Sequence, residues 1–61
     1  MLKISIYNED GKIFEMIEVR NDDTFDCDRG DGHLRIFGYD AQGKEVRYLV
    51  SWNHTVLIKE L

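Results

Sequence analysis

The chain contains no proline, a single cysteine, no long apolar run and only eight basic residues against twelve acidic ones. Each shortage removes a class of protein. Without proline, no segment is barred from the middle of a β-sheet. With Cys27 alone, no internal disulfide can form, which points to a reducing, intracellular setting. No stretch is apolar enough to span a bilayer, and no signal-peptide pattern opens the chain, so the expectation is a cytoplasmic protein with no membrane partner. The net charge of −4 is the wrong sign for a general nucleic-acid binder, which needs a basic stripe to displace counterions. It favours a basic protein partner instead. No Gly-rich phosphate loop is present either.

What remains is one small domain, residues 1–61. A chain of this length buries only about 60% of its unfolded surface, so its core is marginal. With disulfides excluded, association with another chain is the support left open.

Two stretches carry nearly the same message: Tyr7-Asn8-Glu9-Asp10-Gly11-Lys12 and Tyr39-Asp40-Ala41-Gln42-Gly43-Lys44. An Asx at position i, two free positions, Gly at i+3 and then Lys describe a type I turn closed by a left-handed glycine, within a three-residue hairpin loop. Asn8 and Asp40 suit the first position because their side chains accept from turn N–H groups. High-β-propensity segments flank both loops, and strands are expected near 2–7, 12–19, 24–28, 33–39, 44–52 and 55–60. Helical spacing of Ile13, Met16, Ile17 and Arg20 competes over 12–20, but nine uncapped residues make a weak helix and the preceding turn decides for strand. The fold class is therefore all-β: a small antiparallel meander of five to six short strands, as a curled sheet or an SH3-like or Sm-like barrel.

The second turn sets a register. With Asp40 opposite Lys44, Gly38 faces Val46, Ile36 faces Tyr48 and Leu34 faces Val50, forming an apolar face. The opposite face pairs Tyr39 with Glu45, Phe37 with Arg47, Arg35 with Leu49 and His33 with Ser51. A tight turn at Asn53-His54 would then place Trp52 opposite Thr55, Val50 opposite Leu57 and Leu49 opposite Ile58. On that reading Trp52, Tyr48 and Leu57 belong to the core. Val56 and Ile58 join Phe37, Tyr39 and Leu49 on the second face, where Arg47 can pair with Glu60. A second face this apolar is either closed inside a barrel or buried against another chain. In the first hairpin, uninterrupted pairing would turn Ile17 and Val19 outward. A bulge near Met16-Ile17 restores them.

Arginine and aromatic residues are over-represented at binding hot spots. The candidate interface is accordingly Arg35, Phe37, Tyr39, Arg47, Leu49, Val56 and Ile58, with a Phe37–Arg47 cation–π contact expected. Asp22, Asp23, Asp26, Asp28 and Asp31 form a candidate acidic surface toward a basic partner. The same segment raises the question of calcium, but it fails the EF-hand spacing: counting from Asp26, the sixth position is Asp31 and the twelfth Phe37. No metal site or cofactor is expected. Arg29-Gly30-Asp31 matches an integrin tripeptide and reads as turn chemistry. Asn53-His54-Thr55 matches a glycosylation acceptor, and a hairpin turn already explains it. Cys27, His33 and His54 invite a nucleophile–base reading, yet Cys27 sits among carboxylates that raise its pKa, and nothing orders the three. No catalysis is expected.

In Leu2-Lys3-Ile4-Ser5-Ile6-Tyr7, the short loop Asn8–Lys12 and the closing segment Trp52–Leu61, the chain resembles small acidic β-rich accessory proteins of bacteriophages and prophages. The resemblance implies a viral protein in the host cytoplasm, where some members inhibit bacterial defence systems by binding host effectors or sequestering signalling nucleotides. The hairpin Glu45–Glu60 is also similar to Sm-like and SH3-like barrels, although the acidic charge stands against an RNA role and no RNA-contact residues match. The leading expectation is a homo-oligomer that binds or blocks a host protein. The alternatives are an oligomeric binder of a small anionic, nucleotide-like ligand, with Arg35 and Arg47 clamping beside Trp52 or His54 of a neighbouring chain, and a structural piece of a larger assembly.

Overall fold

Gly11 and Gly43 adopt φ of 85° and 79°, the left-handed conformation that the two similar loops require. Each loop closes in the same way. Gly11 N–H donates to the Asn8 carbonyl (3.0 Å) and Asn8 N–H to the Lys12 carbonyl (2.8 Å). Gly43 donates to Asp40 (3.0 Å) and Asp40 to Lys44 (2.9 Å). Asp40 Oδ1 also accepts from the N–H groups of Gln42 and Lys44, at 3.0 and 2.8 Å. In the first loop that task falls to Asp10, whose Oδ1 accepts from Lys12 N–H at 3.1 Å.

The computed structural model describes residues 1–61 and contains six strands: β1 Leu2–Tyr7, β2 Ile13–Val19, β3 Asp26–Gly30, β4 His33–Tyr39, β5 Glu45–Ser51 and β6 Thr55–Glu60. All pairings are antiparallel. The β4–β5 register is the expected one at every position. A third reversal, at Asp31-Gly32 with Gly32 at φ 75°, joins β3 to β4. Of Arg29-Gly30-Asp31, read as turn chemistry, only Asp31 lies in the turn, because Arg29 and Gly30 end β3, which lies two residues later than expected.

The strands form two three-stranded sheets, ordered β2-β1-β6 and β3-β4-β5. This corrects the expected β5–β6 hairpin. After β5 the chain turns, with His54 N–H on the Ser51 carbonyl at 3.1 Å, and β6 crosses to pair with β1. The sheets touch through backbone at one corner, where Arg20 N–H donates to the Tyr39 carbonyl at 2.8 Å. No barrel closes, because β5 and β6 lie in different sheets.

The core lies between the inner faces. Leu2, Ile4, Ile6 and Val19 of one sheet meet Ile36 and Val50 of the other, with Ile17, Phe25, Leu34, Val46, Tyr48 and Val56 packed around them. Burying each such side chain stabilises the fold by about 1.5–3 kcal/mol. The sheets come close at Gly38, where an added Cβ would stand 3.1 Å from Val19 Cβ.

The expected bulge exists, two residues from its expected place. Ile6 pairs with Glu15 and Tyr7 with Ile13, so Phe14 is the extra residue. The consequence is the one anticipated: Ile17 falls opposite Ile4 and Val19 opposite Leu2, on the inner face. Four further assignments change, most of them because β6 pairs with β1. Val56, opposite Ile6, packs on the core, and Leu57, 56% exposed, faces out. Trp52 lies beyond the end of β5 and is exposed rather than buried. Glu60 sits opposite Leu2, and Arg47 pairs with Glu45 instead.

Candidate binding surface

Alternation along β4 and β5 sends Arg35, Phe37 and Tyr39 outward from the same face as Glu45, Arg47 and Leu49. β3 adds two carboxylates to it, since Asp26 pairs with Phe37 and Asp28 with Arg35. The face is open to solvent. Leu49 is 62% exposed, and no element of the chain covers it.

The side chains on this face hold one another. Arg35 Nη2 bonds Asp28 Oδ2 at 3.1 Å. Arg47 pairs with Glu45 and stacks over Phe37, its guanidinium carbon 5.6 Å from the ring centroid, so the expected cation–π contact is present. Phe37 in turn meets Tyr39 edge-on, with centroids 5.6 Å apart at 80°. Between them is a shallow depression of about 500 Å³, lined by Asp26, Asp28, Arg35, Phe37, Arg47 and Leu49. Five of the seven expected interface residues are thus brought together: Arg35, Phe37, Tyr39, Arg47 and Leu49. Val56 and Ile58 are not, because they belong to the other sheet.

The acidic segment is divided by the fold. Asp26 and Asp28 border the depression, whereas Asp22 and Asp23 precede β3 and Asp31 follows it. Asp22 Oδ1 accepts from Thr24 N–H at 2.9 Å and from the Thr24 hydroxyl. Both bonds favour the carboxylate, the hydroxyl one most, and hold its pKa below the ordinary value. No three His, Cys, Asp or Glu side chains are grouped so as to hold a metal ion.

Cys27 pairs with Ile36 on β3, His33 pairs with Gly30 at the far end of the same hairpin, and His54 lies in the β5–β6 turn. No hydrogen bond links them. Partial shielding from water raises the Cys27 pKa, and the Asp26 and Asp28 carboxylates raise it further. That is the opposite of an activated thiol.

Two features escaped the sequence. Arg29 stacks over Trp52 at 5.6 Å, in a cleft of about 260 Å³ shared with Leu34, Val50, His54 and Val56. A local signal was missing, since Arg29 and Trp52 meet only through the β3–β4–β5 pairing. The second is a hydrogen bond between sheets. Tyr48 hydroxyl donates to Glu15 Oε2 at 3.0 Å, and the Phe14 bulge is what turns Glu15 to the inner face. Desolvation, then the Glu15 carboxylate, push the Tyr48 pKa up. Beside these, Asn53 Nδ2 donates to Glu9 Oε1 at 2.6 Å and Phe14 packs on His54 with centroids 5.1 Å apart, pinning the β5–β6 turn to the first hairpin.

No protein-family model, curated protein or solved structure matches this chain. No helix is present that is long and apolar enough to cross a membrane. The functional reading rests on the surface itself.

Proposed function

We propose that the chain is a non-enzymatic interaction protein that occludes a functional surface on another protein, as some small acidic phage accessory proteins do. The observation that carries this is the outer face of β3-β4-β5. It sets Tyr39 and Arg47, residue types enriched at binding hot spots, beside Phe37 and Leu49 on one solvent-open face, where Phe37, Arg47 and Leu49 line a shared depression. An ion pair and stacking already order Arg47, Phe37 and Tyr39, which lowers the entropy cost of binding. Asp26 on the rim, which has no ion-pair partner, suits a partner that presents an apolar anchor flanked by a basic group. A host protein in the bacterial cytoplasm is the partner class that the phage resemblance implies.

The test is capture from an expressing bacterial host with brief cross-linking, comparing wild type with Leu49→Glu and Phe37→Ala. A stoichiometric partner held by wild type and lost by both folded variants is the expected result. Undiminished capture by both would remove the outer face from the account.

A second reading, a binder of a small anionic ligand, draws on the Arg29–Trp52 stack beside His54. Paired donors and an aromatic platform suit a nucleotide-like anion. The larger depression suits it less well, because its two arginines are already paired, Arg35 with Asp28 and Arg47 with Glu45. A thermal-shift panel of cyclic and linear dinucleotides checks this reading. Stabilisation abolished by Arg29→Ala supports it, and no response from any of them sets it aside.

A further inference from the structure

Each of the four sheet edges raises the same question, because an unpaired strand edge is a template for another strand. Three carry a deterrent. β2 is bulged at Phe14, and its C-terminal end is already bonded through Arg20 to Tyr39. β3 would set Asp28 against itself, or Asp26 against Asp28 when centred on Cys27, in a self-pairing. β5 presents Glu45 and Arg47, and centring a self-pairing on Arg47 opposes two guanidinium groups. β6 has no bulge and no proline, and carries three consecutive apolar residues, Val56, Leu57 and Ile58.

The backbone of β6 is correctly poised. Leu61 N–H donates to the Met1 carbonyl at 2.9 Å, and in an antiparallel ladder the bonded positions then alternate. Thr55, Leu57 and Lys59 therefore direct their backbone groups toward β1, whereas Val56, Ile58 and Glu60 direct theirs to the free edge. Ile58 shows the same incompleteness in its side chain. It stands opposite the fully buried Ile4 yet is itself 45% exposed.

We infer that β6 is a self-association edge, whose occupant is β6 of a second copy in antiparallel, two-fold register about Leu57. That register makes Val56 and Ile58 of one copy the bonded partners of Ile58 and Val56 of the other. Both residues have outward N–H and C=O groups, so the ladder requirement is met. Leu57 meets its own copy on the outer face, Thr55 faces Lys59, and Glu60 falls alongside His54. Every apolar side chain opposes an apolar one and no like charges meet. A shift of two residues toward the C-terminus opposes Leu57 with Lys59 and Val56 with Glu60. A shift the other way sets Leu57 against Thr55. The outcome is one continuous six-stranded sheet, β2-β1-β6 followed by its two-fold mate, which leaves the outer face of β3-β4-β5 on the other layer free. The inference is independent of the proposed partner.

Sedimentation equilibrium over a wide concentration range, with circular dichroism to verify folding, tests it. Leu57 is 56% exposed, so its substitution does not disturb the core. Wild type is expected to dimerise. Leu57→Lys and Leu57→Glu each set like charges against one another across the axis and weaken the dimer by about tenfold or more. Mixing the two variants restores a heterodimer. In a Cys27→Ser background, Leu57→Cys cross-links on mild oxidation, because a non-bonded antiparallel pair lies within disulfide reach. Ile58→Cys, facing Val56, does not. A strictly monomeric wild type overturns the inference. So does a dimer that Leu57→Lys leaves intact, or one whose charge variants fail to recombine, which would assign the edge to a different partner strand.

Discussion

The two sheets are the same size and differ in how their strands come together. In β3-β4-β5 the neighbours in space are neighbours in sequence, joined by reverse turns at 31–32 and 40–44. In β2-β1-β6 the first and last strands pair across the whole length of the chain. The local sheet spends little of its outer face on the fold, and leaves there an ordered array of arginine, aromatic and carboxylate groups. The non-local sheet supplies most of the buried core, through Leu2, Ile4, Ile6 and Val19, and is left with an apolar free edge. One sheet offers a face, the other an edge.

The difference is widest in stability. Ile4→Ala, at a side chain with no exposure, should cost about 2–5 kcal/mol and unfold much of a domain this small. Leu49→Ala on the open face should stay within about 0.5 kcal/mol. Urea denaturation followed by circular dichroism measures both, and equal losses would erase the distinction. The junction between sheets comes next. Gly38→Ala pushes a methyl toward Val19 and should cost about 1–3 kcal/mol. Adding Val19→Ala should then cost less than the sum of the two single changes, since it removes Cγ1 and Cγ2, which would stand 3.3 and 3.5 Å from the new methyl, although Cβ at 3.1 Å remains.

Tyr48→Phe sharpens the comparison from the side of pH. The folded state raises the Tyr48 pKa, so it holds that proton more tightly than the unfolded chain does. The contribution is complete below the ordinary tyrosine value of about 10 and is lost as pH rises from there through the folded-state pKa. The variant should lose about 1 kcal/mol near neutrality and show a shallower fall at alkaline pH, as read from thermal melts. The smallest effect belongs to the Asp28–Arg35 pair. Both partners are more than half exposed, so Arg35→Ala should shift stability by about 0–1 kcal/mol, and less in high salt.

Legibility in the sequence followed the same division. The β4–β5 register and the Phe37–Arg47 contact could be read because Asp40 and Gly43 encode the loop locally, and strand alternation carries the register outward. The bulge was legible as a necessity, since Ile17 and Val19 had to face inward. Its position was not, because both Phe14 and Met16 are apolar and exposed, and either could be the residue passed over. The partner of β6 was illegible for a stronger reason. Val56-Leu57-Ile58 has no alternation to declare a face, and Asn53-His54 lacks the glycine that would have enforced a hairpin. Contacts distant in sequence decide it: Ile4 and Ile6 draw in Ile58 and Val56, and Asn53 and His54 anchor on Glu9 and Phe14. Trp52 differs for a separate reason: alternation would place it on the core face only if the strand ran through 52, and β5 ends at Ser51.

A dilution series of amide NMR spectra on the 15N-labelled protein tests the division between face and edge most directly. Concentration-dependent shifts or broadening confined to Val56, Ile58 and Glu60 and their neighbours, with Arg35, Phe37, Arg47 and Leu49 unmoved, is the expected result. Changes centred on the outer face of β4 and β5 would contradict it, making that surface the self-association site and leaving β6 without a role.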